Sequence, residues 1–307
     1  MNILSTTFCG ISFENPFVLA SGYVGVTGAG MADVVAHGAG GVTTKSWWAN
    51  AHKGHANPVI IANEHVILNA VGLPDAGIEK SREEIKEYRS RTKAPIIASI
   101  VAPSPEEYGE IARLAAELAP DMIEVNISCP NVKEEFRDLF SGNVKLAEVI
   151  TKSVKKEVKN IPFSVKLSPN VTDIGEVARA CEANGANAIT AINTVGPGMR
   201  IDPELRVPIL KNKTGGVSGP GILPIALRCV WDIFRAVRIP IIGTGGICSG
   251  RDAVEMLLAG ATLLGIGSAL HYRGKEAFRI LTEELEEFCK KEGIKNISEL
   301  VGGAHKN

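Results

Sequence analysis

No CxxC pair occurs among the six cysteines, which stand at positions 9, 129, 181, 229, 248 and 289. The pattern therefore offers no structural zinc site, iron–sulfur cluster or dithiol redox centre, no metal ligands are assigned, and any further electron carrier has to come from elsewhere. No apolar run approaches the roughly 18 to 20 residues that span a bilayer. The N-terminus, MNILSTTFCGISFENP, also lacks the charged, apolar and small-residue succession of a secretory signal. The expected location is the cytoplasm, with no membrane partner. A basic excess is missing too: 33 Lys and Arg face 34 Asp and Glu for a formal charge of −1, which speaks against nucleic acid as a partner. No Ser- or Pro-rich linker divides the 307 residues, so residues 1–307 are expected to form one domain.

What is present is a repeat of short β-branched or apolar runs, each closing on Gly, Ser, Asn or Thr and each followed by a stretch with helical periodicity. Eight can be counted: PFVLASG from Pro16, GVTTKS from Gly41, PIIASIVA from Pro95, MIEVNIS from Met122, PFSVKLS from Pro162, AITAINT from Ala188, PIIGTGG from Pro240 and LLGIGSA from Leu263. Several show little alternation, as strands covered on both faces of a parallel sheet should. Eight βα units predict an α/β fold, a TIM (β/α)8 barrel. A doubly wound open sheet would carry G-x-G-x-x-G at its first turn, and ASGYVGVTGAG does not match it. Two stretches break the repeat, His55 to Gly72 after the second strand and Arg206 to Gly219 after the sixth. Both read as hairpin insertions at the C-terminal face, where barrels build their active sites.

Polar residues gather at the strand ends: Ser21, Lys45, Ser99, Asn126, Ser128, Lys166, Asn193 and Thr194. A lysine on a strand buried on both faces needs an anion or polarised ligand to offset it. One such lysine fits a solvated rim, but two together favour an anionic ligand. After the seventh and eighth strands, Gly245 with Gly246 and Gly267 with Ser268 can offer backbone N–H groups at helix starts, the usual phosphate position in barrels. Taken singly these are ordinary turn glycines, but as a matched pair they mark a phosphate site, and with lysines for electron-rich ring atoms and amides for a planar ligand they suggest flavin mononucleotide with a second flat ligand stacked on it. Lys166 suits the N1/O2 edge of the flavin, where reduction deposits negative charge, and Lys45 suits a substrate carboxylate, although position alone allows the two to be exchanged. Cys129 ends the fourth strand ahead of Pro130. A lone cysteine is commonly an inert buried side chain, but a thiol beside lowering charges serves as a general base. Without a flavin, either lysine could instead serve a Schiff-base aldolase, and a noncatalytic FMN-binding subunit is a further possibility.

The segments NAVGLPDAG from Asn69, NISCPN from Asn126, SVKLSPN from Ser164, INT from Ile192, GGVSGPGILPIAL from Gly215 and GTGGICSGRDA from Gly243 resemble, in order and over nearly the whole chain, the dihydroorotate dehydrogenase family. Cysteine in NISCPN is similar to the class 1 enzymes, and SGPGILPIAL to class 1B catalytic subunits. The resemblance implies FMN in a TIM barrel and oxidation of dihydroorotate to orotate in pyrimidine biosynthesis, with Cys129 taking the C5 proton while flavin N5 accepts hydride from C6. It implies substrate contacts at Lys45, Asn69, Gly72, Leu73, Asn126, Asn193 and Thr194. Flavin contacts are implied at Ser21, Lys45, Ser46, Asn126, Lys166, Ile192, Gly219, Gly245, Gly246, Gly267 and Ser268. It further implies a partner subunit carrying FAD and a [2Fe–2S] cluster that passes electrons to NAD, and a homodimer of catalytic chains within a heterotetramer. The related dihydropyrimidine dehydrogenases are the alternative, but their neutral substrates leave Lys45 without a carboxylate. Three departures stand out: NVKEEFRDLFSGN lacks a glycine pair after NVK, Trp47 and Trp48 add aromatic bulk that is expected to pack an insertion but can also mark a protein contact, and Ser99 replaces an asparagine.

Overall fold

In the computed structural model, which describes residues 2–127 and 144–306, eight parallel strands close into a barrel. They are β3 (Phe17–Leu19), β4 (Gly41–Thr43), β7 (Ile96–Ile100), β8 (Met122–Asn126), β9 (Phe163–Leu167), β10 (Ala188–Ala191), β15 (Ile241–Thr244) and β16 (Leu263–Ile266). Closure comes from β16 pairing with β3, Leu264 opposite Phe17 and Ile266 opposite Leu19. All eight segments expected from the sequence are barrel strands, and helices such as α3 (Pro105–Ala116), α5 (Ile174–Ala183) and α7 (Gly250–Leu258) alternate with them. The helix starts follow from local chemistry. Ser104 accepts from Glu107 N with Pro105 in the first turn, Asp173 accepts from Glu176 N, and Ser249 with Asp252 forms a capping box.

Strand side chains alternate between the helical layer and the barrel interior, and the interior changes character along its length. At its N-terminal end Val18, Ile97, Met122, Ala188, Ile242 and Leu263 pack in one apolar cluster with Phe8 and Phe13. Those two rings come from a hairpin of β1 (Thr6–Phe8) and β2 (Ile11–Phe13), which plugs that end. Two residues further along, the inward positions are Ser99, Glu124, Ser164 and Thr190; at the mouth they are Asn126 and Lys166. The apolar floor supplies burial, at about 1.5–3 kcal/mol for each large side chain, and the ligand-facing chemistry is confined to the other end.

The insertions are joined to each other. β5 (Ile60–Ala62) and β6 (Ile67–Asn69) form the hairpin expected between His55 and Gly72. The second insertion begins earlier than Arg206: β11 (Val195–Gly198) pairs with β14 (Gly215–Ser218), and a smaller ribbon of β12 (Ile201–Asp202) and β13 (Val207–Pro208) lies between them. β14 then pairs with β6, Gly216 opposite Asn69, giving one antiparallel sheet in the order β11, β14, β6, β5. Trp47 and Trp48 divide between the barrel and the segment that follows β6. Trp47 is buried and bridges to Ile100 of β7, while Trp48 stacks on His52 and donates through Nε1 to the Leu73 carbonyl at 3.1 Å. Among the described residues, no helix is long and apolar enough to cross a membrane.

Candidate active site

A cavity of about 450 Å³ opens at the mouth of the barrel. Ser21, Lys45, Ser46, Asn126, Lys166, Ile192, Asn193, Thr194, Gly245, Gly246, Gly267 and Ser268 line it from the strand ends, and Asn69, Gly72 and Leu73 close it from the insertion with Ile60, Ile67 and Val71. Gly219 is not part of the wall. A Cβ there would lie 3.0 Å from Val66 Cα and 3.1 Å from the Tyr272 hydroxyl, so this glycine lets the chain pass tightly beneath the hairpin. Cys129, Ser128 and the segment NVKEEFRDLFSGN lie outside the described residues.

Beneath the cavity runs a chain of polar contacts. Asn193 Nδ2 donates to Asn126 Oδ1 at 3.4 Å, and Asn126 Nδ2 donates to Ser46 Oγ at 3.2 Å. Ser46 Oγ is 3.4 Å from Ser21 Oγ and 2.9 Å from Ser99 Oγ. Ser99 donates to Glu124 Oε1 at 3.1 Å, and the same oxygen lies 3.8 Å from Lys166 Nζ. Both members of that ion pair are almost wholly buried, with side-chain exposures of 7% for Lys166 and 3% for Glu124. Among the described residues, no buried side-chain nitrogen or oxygen lacks a partner, which is the condition for a polar interior to be rigid rather than costly. Asn126 is pinned from behind as well, its carbonyl accepting from the Tyr108 hydroxyl at 2.7 Å. Thr194 is fixed by its amide donating to Asn193 Oδ1 at 2.8 Å and by close packing on β14, where a Cβ at Gly216 would come 2.1 Å from Thr194 Oγ1. Ser99 therefore lies under the site, as the link between Ser46 and Glu124.

Gly267 and Ser268 stand at a helix start as expected, with Ser268 in the N-cap position of the short helix Ala269–Arg273, whereas the Gly245–Gly246 turn lies ahead of its helix. At α7 the Cys248 and Ser249 amides donate to Asp252 and the Gly250 amide to Glu284, so protein carboxylates already occupy that N-terminus. The amides of Gly246, Gly267 and Ser268 instead find no protein acceptor among the described residues. Gly246 holds φ +80°, where a Cβ would lie 2.6 Å from Leu223 N, and a Cβ on Gly267 would meet only Ala20, at 3.7 Å. Two adjacent turns with unused donors and no side chains in the way form a cradle for a phosphate. With a buried ammonium and a set of amide side chains beside it, this donor set fits FMN.

A scan against family models matches residues 3–289 to the family described as dihydroorotate dehydrogenase. The chain belongs to the dihydroorotate dehydrogenase family. It is 44% identical over 306 residues to the dihydroorotate dehydrogenase B (NAD(+)) catalytic subunit of Methanocaldococcus jannaschii, covering 99% of this chain and 98% of that protein. The protein of the same name from Pyrococcus horikoshii is 43% identical over 306 residues, with 99% and 98% covered. Among solved structures, a dihydroorotate dehydrogenase of Eimeria tenella in complex with ferulenol superposes with a TM-score of 0.86 at 22% identity, covering all of this chain and 90% of that one; that likeness concerns the fold.

Within this dihydroorotate dehydrogenase-family site, Glu124 is the residue that reading strand ends overlooks. Its signal was the position two before Asn126 in MIEVN, which places both side chains on the same face of the strand. Tyr23 also lines the cavity, and burial raises its phenol above the usual value. Burial pushes up the thiols of the five described cysteines, to about 12 at Cys181 and about 11 at Cys9 and Cys229, with Cys248 and Cys289 also raised. Such thiols are protonated and weakly nucleophilic at neutral pH. Brief treatment with iodoacetamide at pH 7.5 is therefore expected to modify Cys129 ahead of the other five, as read by peptide mass spectrometry. Faster labelling of Cys248 would contradict Cys129 as the activated thiol.

Proposed function

We propose that this chain is the FMN-bearing catalytic subunit of an NAD-linked dihydroorotate dehydrogenase, oxidising (S)-dihydroorotate to orotate in pyrimidine synthesis. The observation that carries this reading is the convergence of Lys45, Asn69, Asn126, Asn193 and Thr194 with Lys166 and the two glycine turns on one cavity, in a chain whose relatives bear that enzyme's name over their full length. FMN would be held by the amides of Gly246, Gly267 and Ser268 at its phosphate and by Lys166, Ser21, Ser46 and Asn126 toward its ring; when bound, it supplies a two-electron acceptor. Lys45 would pair with the substrate carboxylate as a charge-assisted hydrogen bond. The amides of Asn69, Asn126 and Asn193, with Thr194, would hold the ring's N–H and C=O groups, and Gly72 with Leu73 would cover the bound ring. Cys129 would take the C5 proton as C6 is oxidised.

The whole chain, residues 1–307, would serve as the FMN-binding unit. Its relatives' designation as catalytic subunits supports a companion subunit, for which FAD and a [2Fe–2S] cluster are the proposed carriers toward NAD. The purified chain is expected to be yellow, and its visible absorbance to bleach when dihydroorotate is added without oxygen. A colourless protein that borohydride traps on a sugar phosphate would overturn the reading, and bleaching by dihydrouracil but not dihydroorotate would reassign the substrate.

A further inference from the structure

The ion pair under the cavity has a function that the proposed chemistry leaves open. Lys166 and Glu124 project from adjacent strands into the barrel interior, Glu124 opposite Ser164 and Asn126 opposite Lys166 in the β8–β9 register. Lys166 lines the cavity, whereas Glu124 lies one layer deeper. Removing both charges from water is costly, and a buried pair is often no more stabilising than apolar residues of similar volume. Stability is therefore a weak reason for a carboxylate at this depth, and its effect on the cavity is a stronger one. Among the described residues, the groups around the pair are Ser99 on β7, Asn126 on β8, Ser164 on β9 and Thr190 on β10, all uncharged, with Lys45, Tyr23 and His271 as the other titratable groups of the cavity wall. In an interior of low dielectric, one charge 3.8 Å from another strongly alters the field beyond it.

We propose that Glu124 is a positioning residue and counter-charge that fixes the Lys166 ammonium and holds down its pull on bound FMN, setting how readily the flavin is reduced. The inference rests on FMN occupying this cavity. Lys166 alone would present a full positive charge to the flavin edge where reduction adds negative charge. Lys166 with Glu124 behind it presents a dipole, so reduction is favoured less and electrons leave more easily. Ser99, donating to the same carboxylate oxygen, braces Glu124 without adding charge.

The test is the two-electron reduction potential of bound FMN, set against a dye of known potential, with FMN affinity measured alongside. Glu124→Gln keeps the shape and the acceptor for Ser99 but removes the charge. It is expected to shift the ratio of reduced to oxidised FMN at least tenfold toward reduced, an upward change of about 30 mV. Glu124→Asp retracts the same charge by one methylene and is expected to fall between wild type and Gln, and it carries the test if the Gln variant does not accumulate. Ser99→Ala removes a brace but no charge and is expected to move the ratio less than twofold. An unchanged or lower potential in the Glu124 variants, or an equal shift in Ser99→Ala, would overturn the proposal and leave Glu124 a structural brace. A wild-type chain that binds no FMN would instead defeat the functional reading itself.

Discussion

Replacing Cys129 by alanine is expected to slow anaerobic reduction of the bound flavin by dihydroorotate roughly 10²- to 10⁴-fold, the usual contribution of a positioned general base. FMN content should stay near stoichiometric, because the groups assigned to the cofactor come from other segments: the Gly246, Gly267 and Ser268 amides, Lys166 and Ser46. The separation of binding from proton removal is what makes the measurement informative. A variant that loses FMN and rate together would point to a packing role for the cysteine. A variant that keeps the wild-type reduction rate in a stopped-flow trace would remove Cys129 from the chemistry. The described cysteines offer no ready substitute, since burial raises every one of their thiols.

Lys45→Met is expected to lower kcat/KM for dihydroorotate by about 10- to 150-fold, the equivalent of losing a hydrogen bond to a charged group worth about 1.5–3 kcal/mol. Lys45 lines the cavity near the turn after β3, where a Cβ on Gly22 would lie 4.0 Å from its Nζ. Dihydrouracil has the ring but no carboxylate, so its much slower turnover should change little. The substrate preference should therefore narrow by nearly the whole loss. Equal losses for both substrates would show that Lys45 acts on the reaction or on the cofactor, as position in the sequence alone allowed for either lysine. Methionine retains most of the apolar length of the side chain, which limits packing damage as a competing explanation.

The barrel was legible because its eight strands are short apolar runs with punctuated ends, and each run expected from the sequence forms a strand. The cavity wall was legible for a related reason: a closed parallel barrel brings all its strand ends to one face, so polar residues at those ends meet without further information. Three features were hidden for separate physical reasons. Glu124 sits inside a strand, and a rule that excludes charge from buried strands passes over a carboxylate satisfied by a neighbouring strand's lysine and hydroxyl. β11 reads VGPG, composition that argues for a turn, and it is held as a strand by pairing with β14, a segment distant in sequence that packs on Thr194 at Gly216 and pairs with β6 on its other edge. The distinction between the α7 N-terminus and the Gly246 turn depended on whose carboxylates reach those amides, and Glu284 lies 34 residues from Gly250.

The covering sheet carries a consequence for engineering. Its strands come as two pairs from two stretches of chain that meet at one seam, with Ile67 to Asn69 hydrogen-bonded on one side to Ile60 to Ala62 and on the other to Gly216 to Ser218. A graft that imports either stretch alone from a homologue would leave the central strand facing a mismatched neighbour and unsettle Asn69. Transplanting specificity between family members therefore calls for moving both stretches as a single cassette, with Thr194 and the residue at 216 exchanged as a matched pair.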